Sequence, residues 1–131
     1  MNEISISSER RTEMIDITDA VQQAVDASGV RDGLCIIYVP HTTAAVTINE
    51  GADPAVKSDI VMELDKIAPQ DDGYAHVEGN SAGHIKSSIV GVSEAVFISD
   101  GKLVLGTWQS VYFCEFDGPR RRRAFVKVLT G

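Results

Sequence analysis

The three histidines of this 131-residue chain all lie in short polar segments beside small or hydroxylated residues. His41 follows a proline and precedes two threonines, whereas His76 and His84 flank a glycine-rich stretch. Neutral imidazole is the commonest metal ligand and the usual acid–base group near pH 7. Three imidazoles and a water molecule make a zinc site of the catalytic type, with one position open to substrate. In the alternative interpretation each histidine makes only local hydrogen bonds, and the spacing does not decide between the two.

Carboxylates lie next to the histidine segments. Glu50 and Asp53 follow the His41 segment, and Glu78 lies two residues after His76. Such groups hold Mg²⁺ or orient a ligating imidazole. For Asp53, capping of the following helix is a sufficient explanation, because Pro54 comes next.

The stretch from Gly79 to Gly83 precedes a predicted helix, so Asn80, Ser81 and the following amides could receive an anion at its N-terminus. The glycine spacing is not that of a phosphate-binding P-loop. An ordinary capped helix therefore remains the competing interpretation. Lys86, on the same helix, faces either solvent or a phosphate.

Three further residues invite a role at a site. Trp108, the only tryptophan, lies between two predicted strands and either stacks on a flat ring or belongs to a core or subunit interface. Glu115 lies inside an apolar strand on the face of Phe113, where a buried charge needs an arginine, histidine or metal partner. Arg120 begins a run of four arginines, which strand alternation divides between two faces. The run is either a charged strand start that discourages edge pairing, or Arg120 reaches Glu115 or a substrate phosphate.

The elements that position these residues are mostly strands, interrupted by three helices. Asp16 or Thr18 and Gly29 delimit the first helix, and the second runs from Asp53 to about Ile67, with Ile60, Leu64 and Ile67 facing inward. Asn80 caps the third, which ends near Ile89. The remaining apolar runs predict strands at residues 4–6, 34–39, 45–48, 95–98, 103–105, 111–116 and 124–129. Since regular βαβ alternation is missing, the sequence predicts one α+β domain with a mostly antiparallel, sandwich-like core.

Composition narrows the class of protein. The net charge of −7 disfavours binding to nucleic acid. No stretch has the roughly 20 apolar residues of a membrane span, and no signal-peptide pattern is present, so we expect a cytoplasmic protein without membrane attachment. Cys35 and Cys114 lie in apolar strands and are expected to be reduced core residues.

Read together, several segments resemble one family, the YjbQ-like proteins, which are described as secondary thiamine-phosphate synthases. These segments occur in the family's order over about Ile4 to Leu129, in one domain spanning residues 1–131. They are HTTAA from His41 and INE ending at Glu50, EGNSAGHIK from Glu78 to Lys86, LGTWQ around Trp108, and CEFDGPR from Cys114 to Arg120.

The resemblance implies a homotrimer with the histidine segments in a cleft at or near a subunit interface. It also implies weak joining of an aminopyrimidine diphosphate to a thiazole phosphate, with release of pyrophosphate. It makes His41, His76, His84, Glu50, Asn80, Trp108 and Glu115 the site candidates. In the resulting hypothesis the histidines bind a divalent metal, zinc or magnesium, or the phosphate. His41, Glu50 and Glu115 act in catalysis, and Asn80, Ser81, Lys86, Trp108 and Arg120 bind a phosphorylated heterocycle. The alternatives are a metal- or ligand-binding protein without dedicated catalysis, and a zinc-dependent hydrolase of a phosphate or acyl substrate.

Overall fold

The computed structural model describes residues 1–131 and contains eight strands and three helices. In chain order they are β1 (Asn2–Ser7), β2 (Glu13–Asp16), α1 (Thr18–Ser28), β3 (Asp32–Tyr38), β4 (Ala44–Glu50), α2 (Pro54–Ile67), α3 (Ser81–Val90), β5 (Ser93–Ser99), β6 (Lys102–Leu103), β7 (Gln109–Glu115) and β8 (Arg121–Thr130).

The strands form two antiparallel sheets. One has five strands in the order β1-β8-β3-β5-β6, and the other has three in the order β2-β7-β4. Inward-facing residues of both sheets share one hydrophobic core, to which β3 contributes Ile37, β4 Val46, β7 Phe113 and β8 Val126. The predicted α+β class with a sandwich-like, antiparallel core is confirmed.

The helices cover different surfaces. Val21 and Val25 of α1 enter the core between the sheets, and α1 ends at Gly29 in the left-handed conformation. Helix α2 begins as predicted, because the Asp53 carboxylate accepts a hydrogen bond from the Ala55 N–H at 2.9 Å and proline occupies the first turn. It packs with α3 on the opposite face of the three-stranded sheet.

Helix α2 buries fewer of its apolar side chains against the three-stranded sheet than its helical pattern predicts. Ile60 and Leu64 of α2 pack, half-buried, against Tyr112 and Cys114 of β7. The expectation that Ile67 faces inward is wrong, since its side chain is 58% exposed at the last turn before the chain leaves the sheet.

Both cysteines are buried free thiols, as expected. Burial raises the pKa of Cys35 to about 11 and that of Cys114 to about 12, so both thiols are protonated at neutral pH. None of the three helices is long and apolar enough to span a membrane.

Candidate functional site

Four chain segments meet at one end of the sandwich, and we call this region the polar corner. They are the chain after β1 (8–11), the loop after β3 (41–43), the N-terminus of α3 (80–83) and the β7–β8 turn with the start of β8 (115–123). Backbone hydrogen bonds of 3.0 Å join Ser8 N to Arg120 O, Gly118 N to Arg11 O, and Phe116 N to Thr43 O. Segments far apart in sequence are therefore held in fixed register.

Glu115 forms the buried centre of the polar corner. Its side chain has no exposed surface and accepts hydrogen bonds from Ser8 Oγ at 2.6 Å and from Arg122 Nε at 2.9 Å. Arg122 also donates to Thr43 Oγ1 at 2.8 Å. Burial opposes ionisation of Glu115, but hydrogen bonds from Arg122, Ser8 and the Asp117 N–H outweigh it and hold the pKa of the carboxyl below its usual value.

The predicted arginine partner of Glu115 exists, but it is Arg122 and not Arg120. Alternation along β8 turns Arg122 inward and Arg123 outward. Arg120 lies before the strand and donates instead to Asp117, from Nε to the backbone oxygen at 2.9 Å and from Nη2 to Oδ2 at 2.8 Å. The expectation that Arg120 reaches Glu115 is therefore wrong.

Asp117 connects this turn to the third helix. Its Oδ2 also accepts a hydrogen bond from Asn80 Nδ2 at 2.9 Å. Asn80 occupies the predicted N-cap position, yet its side chain makes no hydrogen bond to a helix N–H. The Asn80 Oδ1 atom is buried without a hydrogen-bond partner. Ser81 follows it, itself buried, at the first position of α3.

His41 lies in the loop after β3, and its ring accepts a backbone hydrogen bond. Nε2 receives the Arg123 N–H at 3.1 Å. Burial of the ring, first, and the Arg122 guanidinium lower the pKa of His41, while the Glu115 carboxylate acts in the opposite direction. The imidazole is therefore favoured in its neutral form.

His76 and His84 come together at the surface beside the start of α3. Their ring centroids are 5.5 Å apart in an edge-to-face arrangement, and His76 Nε2 lies 3.9 Å from Glu78 Oε1. No three His, Cys, Asp or Glu side chains of the chain are placed to hold a metal ion. Within one chain the three histidines thus do not form a common ligand set. His41 does not fit as a ligand, because its Nε2 lone pair already accepts the Arg123 N–H. A divalent metal itself stays a prediction, with His76 and His84 as its remaining histidine ligands.

Lys86 is enclosed between two helices. It is buried on α3, and its ammonium donates to the carboxylate of Asp65 on α2, which is half-exposed. In this arrangement its charge ties α3 to α2.

Glu50 and Trp108 lie at the other end of the three-stranded sheet. Ala44 pairs with Glu115 at the polar corner, whereas Glu50 pairs with Gln109 six residues along β4, a separation of about 20 Å at the usual strand rise. Trp108 is 65% exposed, and its carbonyl accepts the Gly51 N–H at 2.8 Å. Glu50 Oε2 accepts the Ala52 N–H at 2.7 Å. Within one chain, Glu50 and Trp108 therefore lie far from His41 and Glu115.

Positive charge is concentrated at the polar corner despite the acidic chain. Six of the seven arginines lie in the segments of the polar corner. These are Arg10, Arg11, Arg120, Arg121, Arg122 and Arg123. The two segments that carry them are neighbours, because Ser7 at the end of β1 pairs with Arg121 at the start of β8. Arg11 and Arg120 approach Asp117 at 3.8 and 2.8 Å with their side chains half-exposed, so they retain surface open to an anion.

Sequence reasoning did not single out Ser8, Thr43, Asp117 or Arg122 as members of this region. For Arg122 the signal was incomplete, because alternation from the predicted strand at residue 124 places both Arg122 and Arg120 on the inward face. Ser8 had none, because its role depends on a contact 107 residues away.

These features define a small antiparallel α+β domain with a basic, hydrogen-bonded corner, and comparison with known proteins shows which family it represents. The chain belongs to the family described as UPF0047 protein YjbQ-like, whose sequence profile matches residues 2–131.

Similar proteins agree with this assignment. UPF0047 protein MJ1081 of Methanocaldococcus jannaschii is 52% identical over 124 residues, covering 95% of this chain and 90% of that protein. UPF0047 protein YugU of Bacillus subtilis is 48% identical over 127 residues, covering 96% of each. The crystal structure of an uncharacterized YjbQ/UPF0047 protein from Clostridium acetobutylicum matches with a TM-score of 0.97 and 53% identity, over 98% of this chain and all of that one.

Proposed function

We propose that the polar corner binds the phosphate groups of a small phosphorylated heterocycle, and that the protein has weak thiamine-phosphate synthase activity. The reaction would join the thiazole nitrogen of a thiazole phosphate to the methylene carbon of an aminopyrimidine diphosphate. The carbon–oxygen bond to the diphosphate breaks, and pyrophosphate leaves with the electron pair.

The observation that carries this proposal is the gathering of six arginines around a rigid hydrogen-bond network in a chain of net charge −7. Departure of pyrophosphate requires its negative charge to be neutralised, and preorganised donors do so without reorganising during the reaction. Arg120 and Arg11 have the exposure that this role needs. A divalent zinc or magnesium ion remains part of the hypothesis, with His76, His84 and Glu78 as the side chains left to hold it.

The working unit under the same proposal is a homotrimer with a site shared between chains. The outer face of the five-stranded sheet exposes Leu34, Phe97 and Leu129 around a groove of about 430 Å³, and Phe97 is 71% exposed. Exposed apolar surface of this kind is typical of protein interfaces. The distance between Trp108 and His41 within one chain also favours a second chain that brings the two ends together.

The activity test measures thiamine phosphate formed from the two purified substrates, with calorimetric titration of inorganic pyrophosphate beside it. Arg120→Gln should weaken pyrophosphate binding about tenfold or more, as expected for a charged hydrogen bond. Arg31→Gln is the matched control, because Arg31 is exposed and pairs with Asp100 outside the polar corner. Equal trace rates for the wild type and His41→Ala, or equal losses in both arginine variants, would contradict the proposal.

The assembly test uses light scattering over a range of protein concentrations. Phe97→Asp should dissociate the trimer, whereas Met62→Asp, at an exposed apolar position on α2, should not. Mixing Glu50→Gln and His84→Ala subunits should restore part of the activity if chains share a site. A wild-type protein that stays monomeric at all concentrations refutes the shared site.

A further inference from the structure

The backbone around His41 determines which ring nitrogen carries its proton. Strand β3 ends at Tyr38, which pairs with Phe125 of β8. Continuing that register by two residues would set Pro40 opposite Arg123, but the strand has already ended. The Arg123 N–H is bound instead by His41 Nε2 at 3.1 Å. The imidazole thus takes the place of the missing strand carbonyl.

An Nε2 atom that accepts a hydrogen bond carries no proton. A neutral imidazole has one N–H, which must then be on Nδ1, and a doubly protonated ring would have no acceptor for Arg123. Nδ1 makes no hydrogen bond within the chain. Because it is also not fully buried, it is open to solvent.

We propose that His41 is held as the Nδ1–H tautomer and serves the polar corner as a hydrogen-bond donor to an anionic oxygen of the ligand, not as a metal ligand or a proton acceptor. The metal-ligand role fails because the Nε2 lone pair is used by the backbone and Nδ1 holds the proton. Its immediate charged neighbours are Arg122, Arg123 and Glu115, and two of these three are cations. The phosphoryl oxygen as recipient rests on the function proposed above, whereas the tautomer does not.

Imidazole ¹⁵N spectra test the tautomer directly, because the chain has only three histidines. Each is assigned from its His→Gln variant. At neutral pH we expect His41 to show a pyrrole-type shift at Nδ1 and a pyridine-type shift at Nε2. Titrated Zn²⁺ should leave both His41 signals in place. A proton on Nε2 of His41, or zinc coordination at Nδ1, would overturn the proposal.

Two side-chain replacements separate the ring's roles. In His41→Gln the amide oxygen can occupy the Nε2 position and still accept the Arg123 N–H, but the Nδ1 donor is lost. We expect near-native stability and roughly tenfold to hundredfold weaker pyrophosphate binding. In His41→Asn the amide nitrogen can occupy the Nδ1 position, so binding should be retained better while stability falls.

The outcome with pyrophosphate distinguishes this inference from the proposed function. If pyrophosphate binds and the His41 Nδ1–H signal does not move, the donor role is refuted while the phosphate site stands. If pyrophosphate does not bind at all, the proposed function and the donor role both fail, and the tautomer is still decided by the spectrum.

Discussion

Replacing Arg122 with methionine should test the energetics of the polar corner most sharply. The substitution removes the guanidinium but keeps an unbranched side chain of similar reach, so Glu115 is left fully buried with only Ser8 and one backbone N–H as donors. Breaking a buried ion pair in this way costs about 3–5 kcal/mol. A domain of this kind has a total stability of about 5–15 kcal/mol, so the loss is a large fraction of it.

The neighbouring residue provides the matched control. Arg123 lies on the opposite face of β8 and pairs with Glu3 at 3.3 Å, with the two side chains 56% and 49% exposed. Such surface pairs contribute about 0–1 kcal/mol. Urea unfolding should therefore show a much lower midpoint for Arg122→Met than for Arg123→Met. A loss below about 1 kcal/mol for Arg122→Met would refute the reasoning.

The pH dependence of stability provides a second test of the Glu115–Arg122 ion pair. Because the native pKa of Glu115 lies below its ordinary value of 4.5, its contribution to stability is complete above that pH and is lost as the pH falls through the native pKa. In a double-mutant cycle of Glu115→Leu and Arg122→Met, the double variant should lose less than the sum of the single variants at pH 7. This coupling should shrink in acid. Additive losses at pH 7 would show that the two side chains do not interact.

Two further substitutions test how α3 is held. Gly83→Ala should destabilise the protein by about 1 kcal/mol in urea unfolding, because the added Cβ would lie 2.8 Å from the Phe116 carbonyl oxygen and this clash outweighs the better helix propensity of alanine; a more stable variant would contradict it. Lys86→Met should change stability little, since its partner Asp65 is half-exposed and can be solvated, and it should leave pyrophosphate affinity unchanged if the lysine only joins α2 to α3. A tenfold weaker affinity would instead assign Lys86 to the ligand.

Local signals were sufficient for the helices and for most strands. Asp53 and Pro54 mark the start of α2, because capping and proline chemistry act within a few residues. Strand β2 was not predicted. Its four residues, Glu13 to Asp16, form a strand only by pairing with β7, about 100 residues later. A segment this short carries too little alternation to be recognised by itself.

For the candidate site, too, local features could be predicted from the sequence and the assembled geometry could not. Alternation placed Glu115 on the face of Phe113, where a carboxylate needs a partner if that face is buried. The sequence could not choose between Arg120 and Arg122, because that choice depends on where β8 begins after the turn. Nor could it show that Glu50 and Trp108 lie far from His41, since the direction of β4 relative to the corner is a property of the assembled sheet.

The register of β8 links stability to the proposed chemistry. Two successive residues make different contacts. The Arg122 side chain faces inward and binds Glu115, while the Arg123 backbone N–H binds His41. A one-residue slip would turn Ala124 and Val126 out of the core and bring an outward-facing arginine to Glu115. The same slip would remove the Arg123 N–H from His41 and free the ring to change tautomer. The Glu115–Arg122 ion pair and the apolar face of β8 therefore fix the position of the His41 Nδ1–H donor, although His41 is not hydrogen-bonded to either side chain of the pair.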